Sequence, residues 1–258
     1  MPAPTIRVDI DGDTAYVTLS RPQTRNALAR AVHRELGSAI DEIRSSDALR
    51  FIVLAGDGGI FSSGGDLSEL ESELPADYVD DYWSRMRGTI VALSEIDQIV
   101  ISKIEGAAIG AGAALALAAD IVIAEATAKI RFPFVHLGFV PDAGSTWIVP
   151  RNAGFAIARD LLLTGRWVDM SEAQQIGLVS RIVEPNTADA AVSGLLQELR
   201  QAPRGALALT KTLINGPERD DMVRAIRSEG STQPIAASNE DTQSLITQVR
   251  KRARSTIS

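Results

Sequence analysis

An α/β layered fold is predicted by three features of the 258-residue sequence: two alternating segments at its start, short β-branched runs closed by glycine-rich turns, and purely helical patterning after residue 185. Residues 5–10 and 14–19, TIRVDI and TAYVTL, alternate on either side of Asp11-Gly12-Asp13, which has the composition of a hairpin turn. Leu28, Val32, Leu36, Ile40 and Ile43 then recur at helical spacing. Asn26 stands where it can cap the helix they define, which should run to about Arg44. RFIVLA at 50–55 runs into Gly56-Asp57-Gly58-Gly59, and IVISKI at 99–104 runs into a second glycine-rich turn. ADIVIA at 119–124 and LVSRIV at 178–183 are two more short strands separated by helical patterns. The division this implies is an α/β core over 1–185 and a helical part over 186–258, with helices at 191–200, 206–214, 220–228 and 239–252. No low-complexity linker parts them, so they should pack together.

Composition removes several chemistries. With no cysteine there are no disulfides, cysteine nucleophiles, thiolate zinc sites or iron–sulfur clusters, and the cytosol is the expected compartment. The 33 acidic residues outnumber the 26 basic ones, giving a net charge of -7 and no basic stripe interleaved with aromatics, so nucleic acid is not an expected partner. The least charged stretch, 106–119, is shorter than the roughly 20 residues that cross a bilayer, and no export signal is evident at the start of the sequence. Gly110-Ala111-Gly112 lacks the third glycine of a dinucleotide fingerprint, and GALALTKT at 205–212 has Thr210 where a phosphate-binding loop has glycine. There is no G-x-S-x-G elbow and no H-E-x-x-H; His33 is expected on a helix surface and His136 in a packing or hydrogen-bonding role, and no metal site is expected.

What remains are two glycine-rich turns that each follow a predicted strand: Phe61-Ser62-Ser63-Gly64-Gly65-Asp66-Leu67 and Glu105-Gly106-Ala107-Ala108-Ile109-Gly110-Ala111-Gly112. Small residues in such turns can simply permit tight connections. As a pair, with free peptide N–H groups, they can also converge on one carbonyl oxygen and stabilise negative charge developing there.

These segments resemble the crotonase (enoyl-CoA hydratase/isomerase) superfamily over nearly the whole chain. The resemblance rests on Ser20-Arg21-Pro22 with Asn26-Ala27-Leu28, FSSGGDL at 61–67, IEGAAIGAGAALALAADIVIA at 104–124, LGFVPDAGSTWIVPR at 137–151, LLLTGRWVDMSEAQQIGLVSRIV at 161–183 and Lys211-Thr212-Leu213-Ile214-Asn215. It implies a crotonase-type spiral of ββα units with a C-terminal helical part used in trimer contacts, and a homotrimer or dimer of trimers. It also implies an acyl-CoA thioester substrate, with coenzyme A part of that substrate and no separate cofactor. The thioester carbonyl would sit in an oxyanion hole whose donors, by position, are the N–H groups of Gly65 and Ala111.

The family's hydratases carry two glutamates; here Ala114 and Phe134 stand at those positions. Neither can move a proton, and adding water across a conjugated double bond needs both a base and an acid. One acid survives, Asp142, and GFVPDAGSTWIVPR most resembles the phenylacetyl-CoA epoxide isomerase branch. Asp142 can instead cap the helix that follows it. As a catalyst it would move a proton between the α and γ carbons of an enoyl-CoA, with Phe132, Phe134, Phe139 and Trp147 as candidate apolar walls that raise its pKa and exclude water. Ser63, Asp66 and Leu67 are implied on the thioester and pantetheine side, with a turn-stabilising role open for Asp66, and Arg25 near the coenzyme A phosphates or in solvent. The basic stretch Arg250 to Arg254 can likewise serve a nucleotide or end a solvated helix. Competing readings are a hydratase of low activity served by Glu69 or Glu71, a thioester hydrolase or dehalogenase with Asp142 as nucleophile, and a non-catalytic acyl-CoA-binding protein.

Overall fold

Continuous apolar runs mark strands buried on both faces, and the main sheet is built from them. The structure, a computed structural model, describes residues 5–69 and 74–255. Strand β1 (Ile6–Asp11) pairs antiparallel with β2 (Thr14–Leu19), with Asp11 opposite Thr14 across the left-handed Gly12. β3 (Phe51–Gly56), β4 (Ile99–Ile104), β6 (Ile121–Glu125) and β9 (Arg181–Val183) then follow in parallel. All but one residue of β3 and of β4 are buried, whereas β1, at the sheet edge, buries only Ile6.

A second, smaller sheet gives the fold its spiral. It holds β5 (Ala107–Ile109), β7 (Lys129–Arg131) and β8 (Trp167–Asp169), and single parallel bridges from Leu28 to Gly65 and from Ser62 to Ala108 continue its line. After β2, β3, β4 and β6 the chain therefore turns sharply, adds a short extended segment to this second layer, and returns through a helix, whereas β9 leads directly into a helix. This is the crotonase-type arrangement. β5, β7 and β8 escape the sequence patterns because so short a segment carries no periodicity, whereas the expected strand at 178–183 is found as β9.

Helix α1 (Arg30–Arg44) buries Val32, Leu36, Ile40 and Ile43 as its spacing requires. Two expectations about it are corrected. Its N-cap is Ala29, not Asn26. Arg25 and Asn26 are both left-handed, and the Asn26 amide turns inward, donating to the carbonyls of Asp57 (2.8 Å) and Ile60 (2.9 Å) and so pinning the turn after β3. His33 lies on the buried face; burial holds its pKa down to about 3, so the ring is neutral.

Helix α2 (Tyr78–Met86) runs through a π turn at Arg87–Val91 into α3 (Ala92–Glu95), and α4 (Ala111–Leu117) follows β5. α5 (Ser145–Thr164) is broken at Gly154, and α6 (Met170–Gln175) leads towards β9. The helical part comprises α7 (Ala188–Arg200), α8 (Arg204–Asn215), α9 (Arg219–Ala237) and α10 (Glu240–Ser255). α7 covers the outer face of the main sheet, setting Val192, Leu195 and Leu196 against Phe51, Val53, Ile101 and Ile123. α9 is longer than the 220–228 expected. A Cβ at Gly230 would lie 2.4 Å from the Tyr82 ring, so glycine there lets α9 approach α2. Among the described residues no helix is long and apolar enough to cross a membrane.

Candidate active site

The two glycine-rich turns meet. The Ile109 N–H donates to the Ser62 carbonyl at 2.9 Å, and the Ser62 N–H to the Ala107 carbonyl at 3.2 Å. The contact is too close for side chains: a methyl on Gly64 (φ 90°) would lie 2.7 Å from the Ile109 carbonyl oxygen, and one on Gly112 would lie 2.6 Å from the Ser62 side chain. Held this way, Gly65 and Ala111 line one cavity of about 320 Å³. Ala111 opens α4, so its N–H has no intrahelical acceptor, and the Leu28–Gly65 bridge uses the Gly64 carbonyl and the Asp66 N–H, leaving that of Gly65 unused. Neither N–H donates a hydrogen bond among the described residues. Two unpaired donors on one cavity wall are what a developing oxyanion requires.

Asp142 lines the same cavity. Its main-chain carbonyl accepts from the N–H (2.9 Å) and hydroxyl (2.6 Å) of Ser145, whereas its carboxylate takes no part in capping α5, whose N-cap is Gly144. Oδ1 is buried without a hydrogen-bond partner, while the residue as a whole remains partly open to the cavity. An unpartnered buried carboxylate oxygen is rare and costly. Burial, reinforced by the nearby Glu229 carboxylate, pushes the pKa of Asp142 up to about 7, partly offset by the Arg85 cation and the Gln233 amide. The following residue, Ala143, is left-handed (φ 54°), a conformation that costs a non-glycine residue about 1–3 kcal/mol unless its surroundings hold it there.

The other carboxylates on the cavity are engaged. Asp66 takes Arg21 at 3.0 Å and the hydroxyl of Ser68 at 2.6 Å, the turn-stabilising arrangement. Glu69 accepts from the N–H of Arg30 at 2.9 Å, and Glu71 lies outside the described residues. Ser63, Leu67 and Phe134 line the cavity, with Phe134 against the turn at Gly110 (a Cβ there would be 3.7 Å from the ring). Phe139 is also a wall, whereas Phe132 is fully buried behind the site. Trp147 is not a wall: two residues into α5, it is carried to another face of the helix, where the Arg151 guanidinium sits 4.8 Å over its ring. Arg25 is exposed and does not line the cavity, although its carbonyl accepts from the Ser63 N–H at 2.9 Å. The side chains of Arg250 to Arg254 lie outside the described residues.

Sequence reasoning missed the far wall. Tyr78 and Arg85 reach the cavity from α2, and Gln233 from α9. Glu229, one turn before Gln233, is buried and bonded to the segment that follows Asp142. The available signal was its position: Met222, Ile226, Glu229, Gln233 and Ala237 form the buried stripe of α9, so a carboxylate and an amide interrupt an apolar face.

Comparison with known proteins agrees with this architecture. The family model described as enoyl-CoA hydratase/isomerase matches residues 9–254. The chain is 32% identical over 228 residues to the 1,2-epoxyphenylacetyl-CoA isomerase of Escherichia coli (strain K12), covering 87% of each chain. It is 31% identical to the mitochondrial methylglutaconyl-CoA hydratase of Mus musculus, covering 86% of this chain and 72% of that one. A Thermobifida fusca structure in complex with acetoacetyl-CoA superposes with a TM-score of 0.77 at 30% identity, covering 99% of this chain and 96% of the other. The fold, the paired turns and these matches together make the chain a member of the enoyl-CoA hydratase/isomerase family.

Proposed function

We propose that the protein is an acyl-CoA double-bond isomerase with Asp142 as its single acid/base. The observation that carries this reading is the unpartnered Oδ1 of Asp142, in a cavity whose other described carboxylates, Asp66 and Glu69, already hold partners. The Asp142 carboxylate takes the α proton of a 3-enoyl thioester. The electron pair flows into the carbonyl, giving a dienolate whose oxygen accepts from the N–H groups of Gly65 and Ala111. Asp142 then returns the proton at the γ carbon, the carbonyl re-forms, and the product is the conjugated 2-enoyl thioester. An ordinary aspartate is too weak a base for this, and the rise to about 7 brings it into range.

Phe134 takes the space beside Gly110 in which a water-activating carboxylate would sit, which favours proton transfer over hydration. The acetoacetyl-CoA complex of the Thermobifida fusca neighbour supports a thioester as the ligand, and the E. coli relative is itself named an isomerase. Glu69 on the same cavity keeps a second reading, hydration of a 2-enoyl-CoA, in the test. Parent and Asp142→Asn are assayed separately with 3-enoyl-CoA and 2-enoyl-CoA. The expected outcome is conjugation of the 3-enoyl substrate by the parent only; hydration surviving in the variant would transfer the chemistry to Glu69.

A further inference from the structure

Helix α9 grips the segment carrying Asp142 on both sides of that residue. From one turn of the helix, Gln233 donates to the Val140 carbonyl at 2.9 Å and accepts from its N–H at 3.3 Å. From the preceding turn, Glu229 accepts four hydrogen bonds: from the Gly144 N–H (2.8 Å), the Thr146 N–H (2.9 Å), the Thr146 hydroxyl (2.6 Å) and the Tyr82 hydroxyl (3.0 Å). Tyr82 in turn accepts from the N–H of Ala143 at 2.9 Å. The left-handed Ala143 is thus locked through its own N–H and that of its successor, and its predecessor is Asp142.

We infer that Glu229 is the positioning residue for Asp142, holding the 143–146 turn through Tyr82, Gly144 and Thr146 so that the Asp142 carboxylate stays at the cavity wall with its Oδ1 unpartnered. This rests on the proposed role of Asp142. Two chemical points support it. Burial pushes the pKa of Glu229 up, and the hydrogen bonds from Thr146, Gly144 and Tyr82 oppose that rise. Because those four donors fill the four lone-pair sites of its two oxygens, a proton on it would confront a donor, and the anion is the form that fits. Held against the turn that follows Asp142, that anion also disfavours ionisation of Asp142. The other groups facing Asp142 are Arg85, Tyr78 and Tyr82 from α2 and the amide of Gln233 from α9, and of these only Arg85 is a cation.

The test uses Glu229→Gln and the milder Tyr82→Phe beside Asp142→Asn in the full-length protein, with folding checked by near-UV circular dichroism. In Glu229→Gln an amide N–H₂ replaces an acceptor where donors converge, and the negative charge is gone. Its kcat on a 3-enoyl-CoA is expected to fall at least tenfold with KM changed less than threefold, and the midpoint of kcat/KM against pH to move down. Tyr82→Phe, which keeps the charge, is expected to lower kcat by a smaller factor and to leave that midpoint within about 0.3 units. A folded Glu229→Gln with parental kcat and midpoint overturns the inference. If it does not fold, a Tyr82→Phe protein with parental kcat overturns it. Isomerisation surviving in Asp142→Asn would instead overturn the role of Asp142 itself, so the two failures are told apart.

Discussion

Asp120 and Asp142 each lie beside a cavity and differ in how their carboxylate oxygens are bonded. Asp120, at the foot of β6, borders a cleft of about 400 Å³ between the sheet and α8, where it pairs with Lys211 at 2.8 Å and accepts from the Val100 N–H at 2.8 Å. Lys211 completes its own bonding with the carbonyls of Leu93 and Gln98. Asp142 borders the smaller cavity and has a buried oxygen with no partner. The charges of the larger cleft are consumed in tying α8 to the sheet, whereas the smaller cavity keeps a carboxylate with an unpartnered oxygen, which is why the proposed reaction is placed there. Cavity size does not identify an active site; the state of bonding of the titratable groups on its wall does.

The sharpest way to break this comparison is to remove each carboxylate's function in turn. Asp142→Asn is expected to lower kcat for 3-enoyl-CoA conjugation by about 10²–10⁴-fold, the usual worth of a general acid/base, measured by the absorbance of the conjugated thioester. Lys211→Met is expected to leave kcat/KM unchanged and to cost about 1–3 kcal/mol in urea unfolding, because it removes the buried ammonium that bonds Asp120 and the carbonyls of Leu93 and Gln98.

The same contrast extends to pH. Folded Asp142 releases its proton near pH 7 against an ordinary value of 3.8, so between those values the folded state holds a proton that the unfolded chain has lost. Stability falls as pH rises through that window, and the loss is complete above about pH 7. Asp142→Asn should abolish it, gaining on the order of 2–4 kcal/mol on the parent between pH 4 and pH 8 at 1.36 kcal/mol per pH unit. Smallest in size is the effect of Arg85→Met. Losing that cation should move the kcat/KM midpoint up by roughly half a unit, the opposite direction to Glu229→Gln.

How far this was legible in the sequence follows the range of the interactions. The hairpin, the parallel strands and the two glycine turns are local patterns, and Gly65, Ala111 and Asp142 could be named because turn residues and a resemblance mark them. Asn26 and His33 were misplaced because a helical repeat gives the face of a residue but not the approach of its neighbours: the left-handed step at Arg25 and Asn26 delays α1, and α2 covers His33. Trp147 was misplaced because the helix that follows Asp142 begins at Ser145 and rotates it away. Glu229 is separated from Asp142 by 85 residues or more of chain, as its bond to Gly144 spans 85, and no local pattern reports a hydrogen bond of that span.

The proposal that the Asp142 carboxylate carries the proton is tested most directly by running a single turnover of an α-protiated 3-enoyl-CoA in deuterium oxide and locating the label by mass spectrometry and NMR. The parent should deliver a conjugated thioester in which part of the γ position carries protium transferred from the α carbon, and Asp142→Asn should deliver none of this product. A β-hydroxy thioester, or conjugation at the parental rate in Asp142→Asn, would contradict the account.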